Sequence, residues 1–339
     1  MAIKQLRTAA TAVLFCATAA TSVMAQDKPL VIRYGHALPP TTQLAGMFAV
    51  KPDILKHYGK SYTIDIKALR STPIVVTSFA SNEVDIANLG AAGVALGALN
   101  AGMTDLKLIA DENEDGFNGQ FASQIRVRKD SGINTVADLK GKTIATITLG
   151  SSSDLVTRLY LRKFGLELNK DYTYLETPFP THKPMLLEKK VDAAFFVQPF
   201  ASDPELIEQT KVLFTADAPF GPVMLNFLTA RGGFLAKNRA VVVDFLEDFL
   251  RIARWTWDPA NRDEAIKISA EQSKIPEAVL RRYIFTKDDQ YRALDGVADL
   301  NALQANFRAM KELGLVRAEL NANDHADLSL VKEAAARLK

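Results

Sequence analysis

Cysteine is all but missing from this chain of 339 residues: the single one, Cys16, lies in an N-terminal stretch unlike the rest. There Lys4 and Arg7 precede an uncharged, alanine-rich run, and Val23 and Ala25 fill the small-residue slots of an export cleavage site. We read residues 1–25 as a cleaved signal peptide, so the remainder from Gln26 has no thiol and no disulfide. Phe15 stands where a small residue precedes a lipidated cysteine, which speaks against a lipid anchor. The run is too short and too rich in alanine for a bilayer span, and no second apolar stretch is long enough. An excess of charge is also lacking. The leader carries two of the 41 basic residues and none of the 39 acidic ones, leaving 39 of each sign. A nucleic-acid binder needs a basic footprint, so that class is excluded.

Catalytic and metal signatures are equally scarce. The four histidines, His36, His57, His182 and His325, form no i, i+4 pair, so no metal is expected. Gly150-Ser151-Ser152-Ser153-Asp154 is not the G-x-S-x-G elbow of a serine hydrolase, and no Walker sequence occurs. Gly90-Ala91-Ala92-Gly93, with Asp111 about twenty residues on, resembles a dinucleotide turn but has the spacing G-x-x-G. No cofactor is expected.

What the chain does have is alternation. Strand patterns at 30–35, 62–69, 84–89 and 106–110 alternate with helical ones, which predicts β-α-β units and largely parallel sheets. The stretch 111–119 reads as a solvated acidic loop. A second series follows: the β-branched run 143–148, strands at 172–176, 191–197 and 212–215, and the helix 181–190. The strand 223–230 returns to the first series. After Asn238, a helix cap, the pattern is helical throughout, with Val242, Leu246, Phe249, Ala253 and Trp257 on one face.

One device recurs between strand ends and helix starts: Pro40-Thr41-Thr42-Gln43, Ser71-Thr72, Gly90-Ala91 and Gly150-Ser151-Ser152-Ser153. Free N–H groups and the dipole at a helix start favour an anion, and in open α/β sheets ligands bind beyond the strands' carboxyl ends. The serines have two readings on their own, a plain helix cap or an anion site. Gln198-Pro199 adds a turn from the second series.

Val84-Asp85-Ile86-Ala87 with Gly90, Asp130-Ser131-Gly132-Ile133, Asp138-Leu139-Lys140-Gly141-Lys142, Gly150-Ser151-Ser152 and Val191-Asp192-Ala193-Ala194 stand in an order that resembles the periplasmic substrate-binding proteins of ABC transporters, in their nitrate, sulfonate and taurine branch. The likeness covers most of residues 29–235. It implies an α/β, two-lobed type II periplasmic binding protein fold, each lobe a mostly parallel sheet flanked by helices with the ligand cleft between them. Residues 26–122 plus 229–339 would form the first lobe and 123–228 the second. Carried over by position, the ligand contacts are Pro40, Thr41, Thr42, Gln43, Ser71, Thr72, Gly90, Ala91, Ser151, Ser152, Ser153 and Gln198, with Asn226 and Phe227 from the hinge strand. His36 and Arg70 could add positive charge or point away, and Phe117, Phe179, Phe200 and Phe227 are aromatic candidates near the cleft. The implied function is not enzymatic. A periplasmic monomer captures a small organic anion, a sulfonate or carboxylate, for a membrane permease and its cytoplasmic ATPase. The rivals are an exported enzyme on the same fold acting on a pyrimidine-like ring, and a sensory module for a membrane receptor. The thiamine-precursor synthases of the family use a cysteine-rich motif that is lacking here.

Overall fold

The computed structural model describes residues 28–36, 44, 46–69, 71–219, 221–312 and 314–339. The leader, the turn of Pro40, Thr41, Thr42 and Gln43, and Arg70 lie outside the described residues. The first lobe starts with β1 (Leu30–His36), α1 (Met47–Val50), β2 (Tyr62–Ala68), α2 (Thr72–Ala80), β3 (Ile86–Leu89), α3 (Ala91–Leu99) and β4 (Leu106–Asp115). The second lobe is β5 (Gln124–Arg128), β6 (Thr143–Thr146), α4 (Ser152–Lys163), β7 (Thr173–Glu176), α5 (Phe179–Leu187), β8 (Ala193–Phe196), α6 (Pro204–Gln209) and β9 (Thr210–Thr215). Then β10 (Val223–Arg231) leads into α7 (Gly232–Trp257), α8 (Arg262–Ser273), α9 (Glu277–Leu280), α10 (Leu300–Glu312) and α11 (Ser329–Ala336).

The strands form two sheets of five, in the orders β2-β1-β3-β10-β4 and β7-β6-β8-β5-β9. In each, one strand opposes the others: β10 is antiparallel to β3 and β4, and β5 to β8 and β9. This is the two-lobed type II periplasmic binding protein fold. Along its whole length β10 pairs within the first sheet, beginning with Val223 opposite Asp115, so a lobe boundary at 228/229 falls inside this strand. The chain crosses between lobes twice, after β4 and after β9, and the crossings are tied together. Ser123 N donates to Asp115 Oδ2 at 2.9 Å, and Ala216 N to Ser123 O at 2.8 Å.

The C-terminal helices complete the first lobe. The backbone of α7 breaks at Asn238 (φ −125°, ψ 21°), the position read as a cap. Beyond it Val242, Leu246, Phe249 and Ala253 are buried in one core with Phe48 and Tyr62. Val242, Leu246 and Phe249 each contribute about 1.5–3 kcal/mol by leaving water. Trp257 packs on Phe285, ring centroids 5.4 Å apart.

The acidic stretch overturns its reading as a solvated loop. Asp111, Glu112, Asn113, Glu114 and Asp115 continue β4, each at most 1% exposed. Polar composition misleads here because both edges of β4 are covered. One edge pairs with β10. On the other, Asp111 N donates to Gly296 O at 2.8 Å, and Glu114 N to Tyr291 O at 2.9 Å.

Candidate ligand-binding site

Helix starts converge on a cavity between the two sheets. Ser71 and Thr72 at the start of α2, Gly90 before α3, Ser151, Ser152 and Ser153 at α4, and Phe179 opening α5 all line it. The space open to the centre of a water molecule is about 60 Å³, enough for about four to six waters, or for a headgroup with a few carbons. Ile147, Phe195, Val197 and Leu225 make much of the wall apolar. Among the described lining residues no side chain is titratable.

The lobes touch across this cavity. A Cβ on Gly90 would lie 2.4 Å from Leu225 O of β10 and 3.0 Å from Ser152 Oγ of the second lobe. Leu155 and Leu159 of α4 belong to a core cluster otherwise built from the first lobe, with Met224, Leu303 and Phe307.

Of the two readings of the serine run, the helix cap is present at Ser151. Ser151 Oγ accepts from Asp154 N, donates to Thr148 O at 2.7 Å, and is 2.9 Å from Ser153 Oγ, which also meets Thr146 Oγ1 at 3.2 Å. Asp154 brings its own carboxylate to the helix start, accepting from Gly150 N at 2.8 Å and pairing with Arg158 at 2.6 Å. Burial raises the Asp154 carboxyl, with Arg158 and the Gly150 N–H pulling it back. Ser151 and Ser153 therefore build the turn, and Ser152 is the serine set against Gly90. By contrast α2, α3 and α5 start at Ser71, Gly90 and Pro178 with no side-chain cap. The α3 start is made of alanine and glycine, so its first N–H groups have no hydroxyl or carboxylate of their own to bind. Two of these three uncapped starts, those of α2 and α3, belong to the first lobe. Ser151→Ala is expected to cost about 1 kcal/mol of stability as a lost cap. Ser152→Ala is expected to leave the denaturation midpoint unchanged and weaken ligand affinity, as calorimetry and urea unfolding would separate.

Of the residues expected at the site, Ser71, Thr72, Gly90, Ser151, Ser152, Ser153 and Asn226 are brought together. Three are not. Gln198 spends its side chain on structure, donating to Asp288 O at 3.0 Å and accepting from Ser202 Oγ at 2.8 Å. Phe227 and Ala91 sit in the first-lobe core. On β10, Leu225 and Asn226 line the cavity, and the register irregularity between Asn226 and Phe227 sets Phe227 in the core instead. Among the four aromatic candidates only Phe179 lines the cavity; Phe117 packs on Tyr291 at 4.7 Å, and Phe200 stands behind Phe179 at 6.2 Å. His36 ends β1 and is not a lining residue.

Sequence reasoning missed Asn88, Gln290 and the residue behind them, Glu112. Glu112 Oε2 accepts from Asn88 Nδ2 and, at 3.1 Å, from Asn226 Nδ2, while Oε1 accepts from Leu44 N at 3.0 Å. Asn88 Oδ1 accepts from the Tyr34 hydroxyl at 2.6 Å. Burial pushes the Glu112 carboxyl up to about 7, against the pull of Arg292 and the Leu44 N–H. An asparagine inside the apolar strand 84–89 was the one local signal for Asn88.

The model of the NMT1-like family matches residues 17–270. The chain belongs to the NMT1-like family. No curated protein matches the sequence. Solved structures share the two-lobed fold of this NMT1-like chain at low identity. The periplasmic aliphatic sulphonate binding protein SsuA from Escherichia coli superposes with a TM-score of 0.69 at 21% identity, over 88% of this chain and 92% of that one. The alkanesulfonate-binding protein SsuA from Xanthomonas axonopodis pv. citri bound to MOPS gives 0.68 at 20%, over 89% and 99%. The periplasmic nitrate-binding protein NrtA from Synechocystis PCC 6803 gives 0.69 at 14%, over 92% and 89%.

Proposed function

We propose that this NMT1-like protein is the extracytoplasmic solute-binding component of an ABC importer, which captures a small organic anion, a sulfonate or carboxylate, between two closing lobes. The observation that carries the reading is the convergence of α2, α3, α4 and α5 on one cavity, three of them starting without a side-chain cap. Each helix start contributes about 0.3–1 kcal/mol toward an anion, and each charge-assisted hydrogen bond about 1.5–3 kcal/mol. A few of these with apolar contacts reach the roughly −8 kcal/mol of micromolar binding. A ligand held by both lobes favours the closed form, which a permease would recognise. The solved relatives named for sulfonates and nitrate support the anion, and the leader read in residues 1–25 supports a periplasmic location. Among the described residues no helix is long and apolar enough to cross a membrane.

Thermal shift of the exported form against sulfonates, carboxylates, nitrate, amines and sugars tests the proposal. Stabilisation follows RT ln(1 + [L]/Kd), about 2.7 kcal/mol at a hundredfold excess over Kd. Acids are expected to raise the melting temperature. If only neutral sugars or simple cations did so, the anion reading would be wrong.

A further inference from the structure

Helix α4 carries one apolar stripe more than a helix on the surface of a single lobe needs. Val156 and Leu161 join the core of its own lobe, with Ile125, Ile144 and Phe195. Leu155 and Leu159, four residues apart and so on one face, belong instead to the first-lobe cluster of Met224, Leu303 and Phe307. They are 5% and 0% exposed. The helix reaches that cluster by packing on α3 and α10. Leu96 of α3 also approaches the turn before α4, 3.4 Å from where a Cβ on Gly150 would lie. None of Leu96, Leu155 and Leu159 lines the ligand cavity. Parting the lobes would return both α4 leucines to water, which apolar surface resists.

We propose that this second stripe is a ligand-independent latch: Leu155 and Leu159 hold the second lobe on α3 and α10, so the closed form predominates before any ligand arrives. The cavity is then formed in advance. The apparent affinity of a ligand is its intrinsic affinity scaled by the fraction of molecules in the competent form, and the latch keeps that fraction high. Two tasks are thereby separated. The cavity lining selects the solute, and the α4 stripe sets how much of the protein is ready to hold it. Because the contact lies between lobes, its loss opens the cleft without loosening either sheet.

Pulsed electron resonance between two spin labels tests this in the form starting at Gln26, which has no thiol of its own. Asn100→Cys in the first lobe and Lys170→Cys in the second, both exposed, carry the labels. Without ligand, the otherwise unaltered protein is expected to give one narrow distance. Leu155→Asn combined with Leu159→Asn should add a longer distance that holds about half of the molecules or more, with the circular dichroism of the unaltered chain. Leu96→Asn, at a half-buried position, cuts the same seam from the first lobe should the double variant fold poorly. Two distances in the unaltered protein would overturn the latch, and so would a single unchanged distance in folded variants. The measurement uses no ligand, so failure of the latch and failure of the anion reading are told apart.

Discussion

Alanine in place of Gly90 is expected to lower stability by about 1–3 kcal/mol and to weaken ligand binding about tenfold or more. The new methyl carbon would lie 2.4 Å from Leu225 O and 3.2 Å from Met224 O. Both carbonyls belong to β10, which is hydrogen-bonded between β3 and β4 and cannot retreat. Ser152 Oγ, the third neighbour at 3.0 Å, can rotate away. The strain must therefore move the start of α3, whose N–H groups are the ones left without a cap. A carboxylate or sulfonate loses its alignment with them, and charge-assisted hydrogen bonds weaken steeply off axis. Gly233→Ala in α7 is the control, since nothing lies within 4 Å of its Cβ position and alanine suits a helix. Urea unfolding and calorimetry on both variants decide the matter. Equal behaviour of the two would mean that the approach at Gly90 has no part in binding.

Glu112→Leu is expected to destabilise the first lobe by about 3 kcal/mol. The substitution leaves Asn88 Nδ2, Asn226 Nδ2 and Leu44 N without their acceptor, each buried donor costing about 1–3 kcal/mol; release of a buried charge offsets part of this. Binding should also fall, because the two asparagines lose the anchor that orients them in the cavity wall. The pH dependence has a definite sign. Burial lifts Glu112 to about 7 and Asp115 to about 6. Between the ordinary carboxyl range and those values the folded chain holds protons that the unfolded chain has released. Stability therefore falls as pH rises from about 4.5 to about 7 and levels off above it. Glu247 titrates outside this window: burial would raise it, but Arg251, His57 and Lys56 hold it down at about 2. The unaltered protein should accordingly melt higher near pH 5.5 than near pH 8, and the Glu112→Leu deficit should be larger at the lower pH. Chemical unfolding at the two pH values measures both, and a flat profile would count against a lifted Glu112.

The site was legible in outline because helix starts leave local marks. Ser71-Thr72, Gly90 and Gly150-Ser151-Ser152-Ser153 could be placed from short-range pattern alone, and they meet at one cavity. Which of their polar atoms remain available was not local information. Whether Ser151 Oγ faces a ligand or Asp154 N depends on turn geometry a few tenths of an ångström fine. Gln198 stood at a turn of the right kind, yet Asp288, ninety residues on, takes its amide. Gln290 had no local mark at all, since it lies in an irregular segment that reaches the cavity only through its pairing with β4.

By itself, then, the sequence determined the alternation of strands and helices, the division into two sheets, the helical C-terminal third and three of the helix starts that line the cavity. All of these follow from periodicity and capping, which act over a few residues. The tertiary structure decided the rest. It made the acidic stretch 111–115 a buried strand, tied Ser151 and Ser153 into the turn before α4, and set Glu112 and Asp115 behind the cavity's amides. Burial and hydrogen-bond partnership settle those points, from three residues apart for Ser151 with Thr148 to 175 apart for Gln290 with Asp115, and charge or hydroxyl content along the chain carries no record of them.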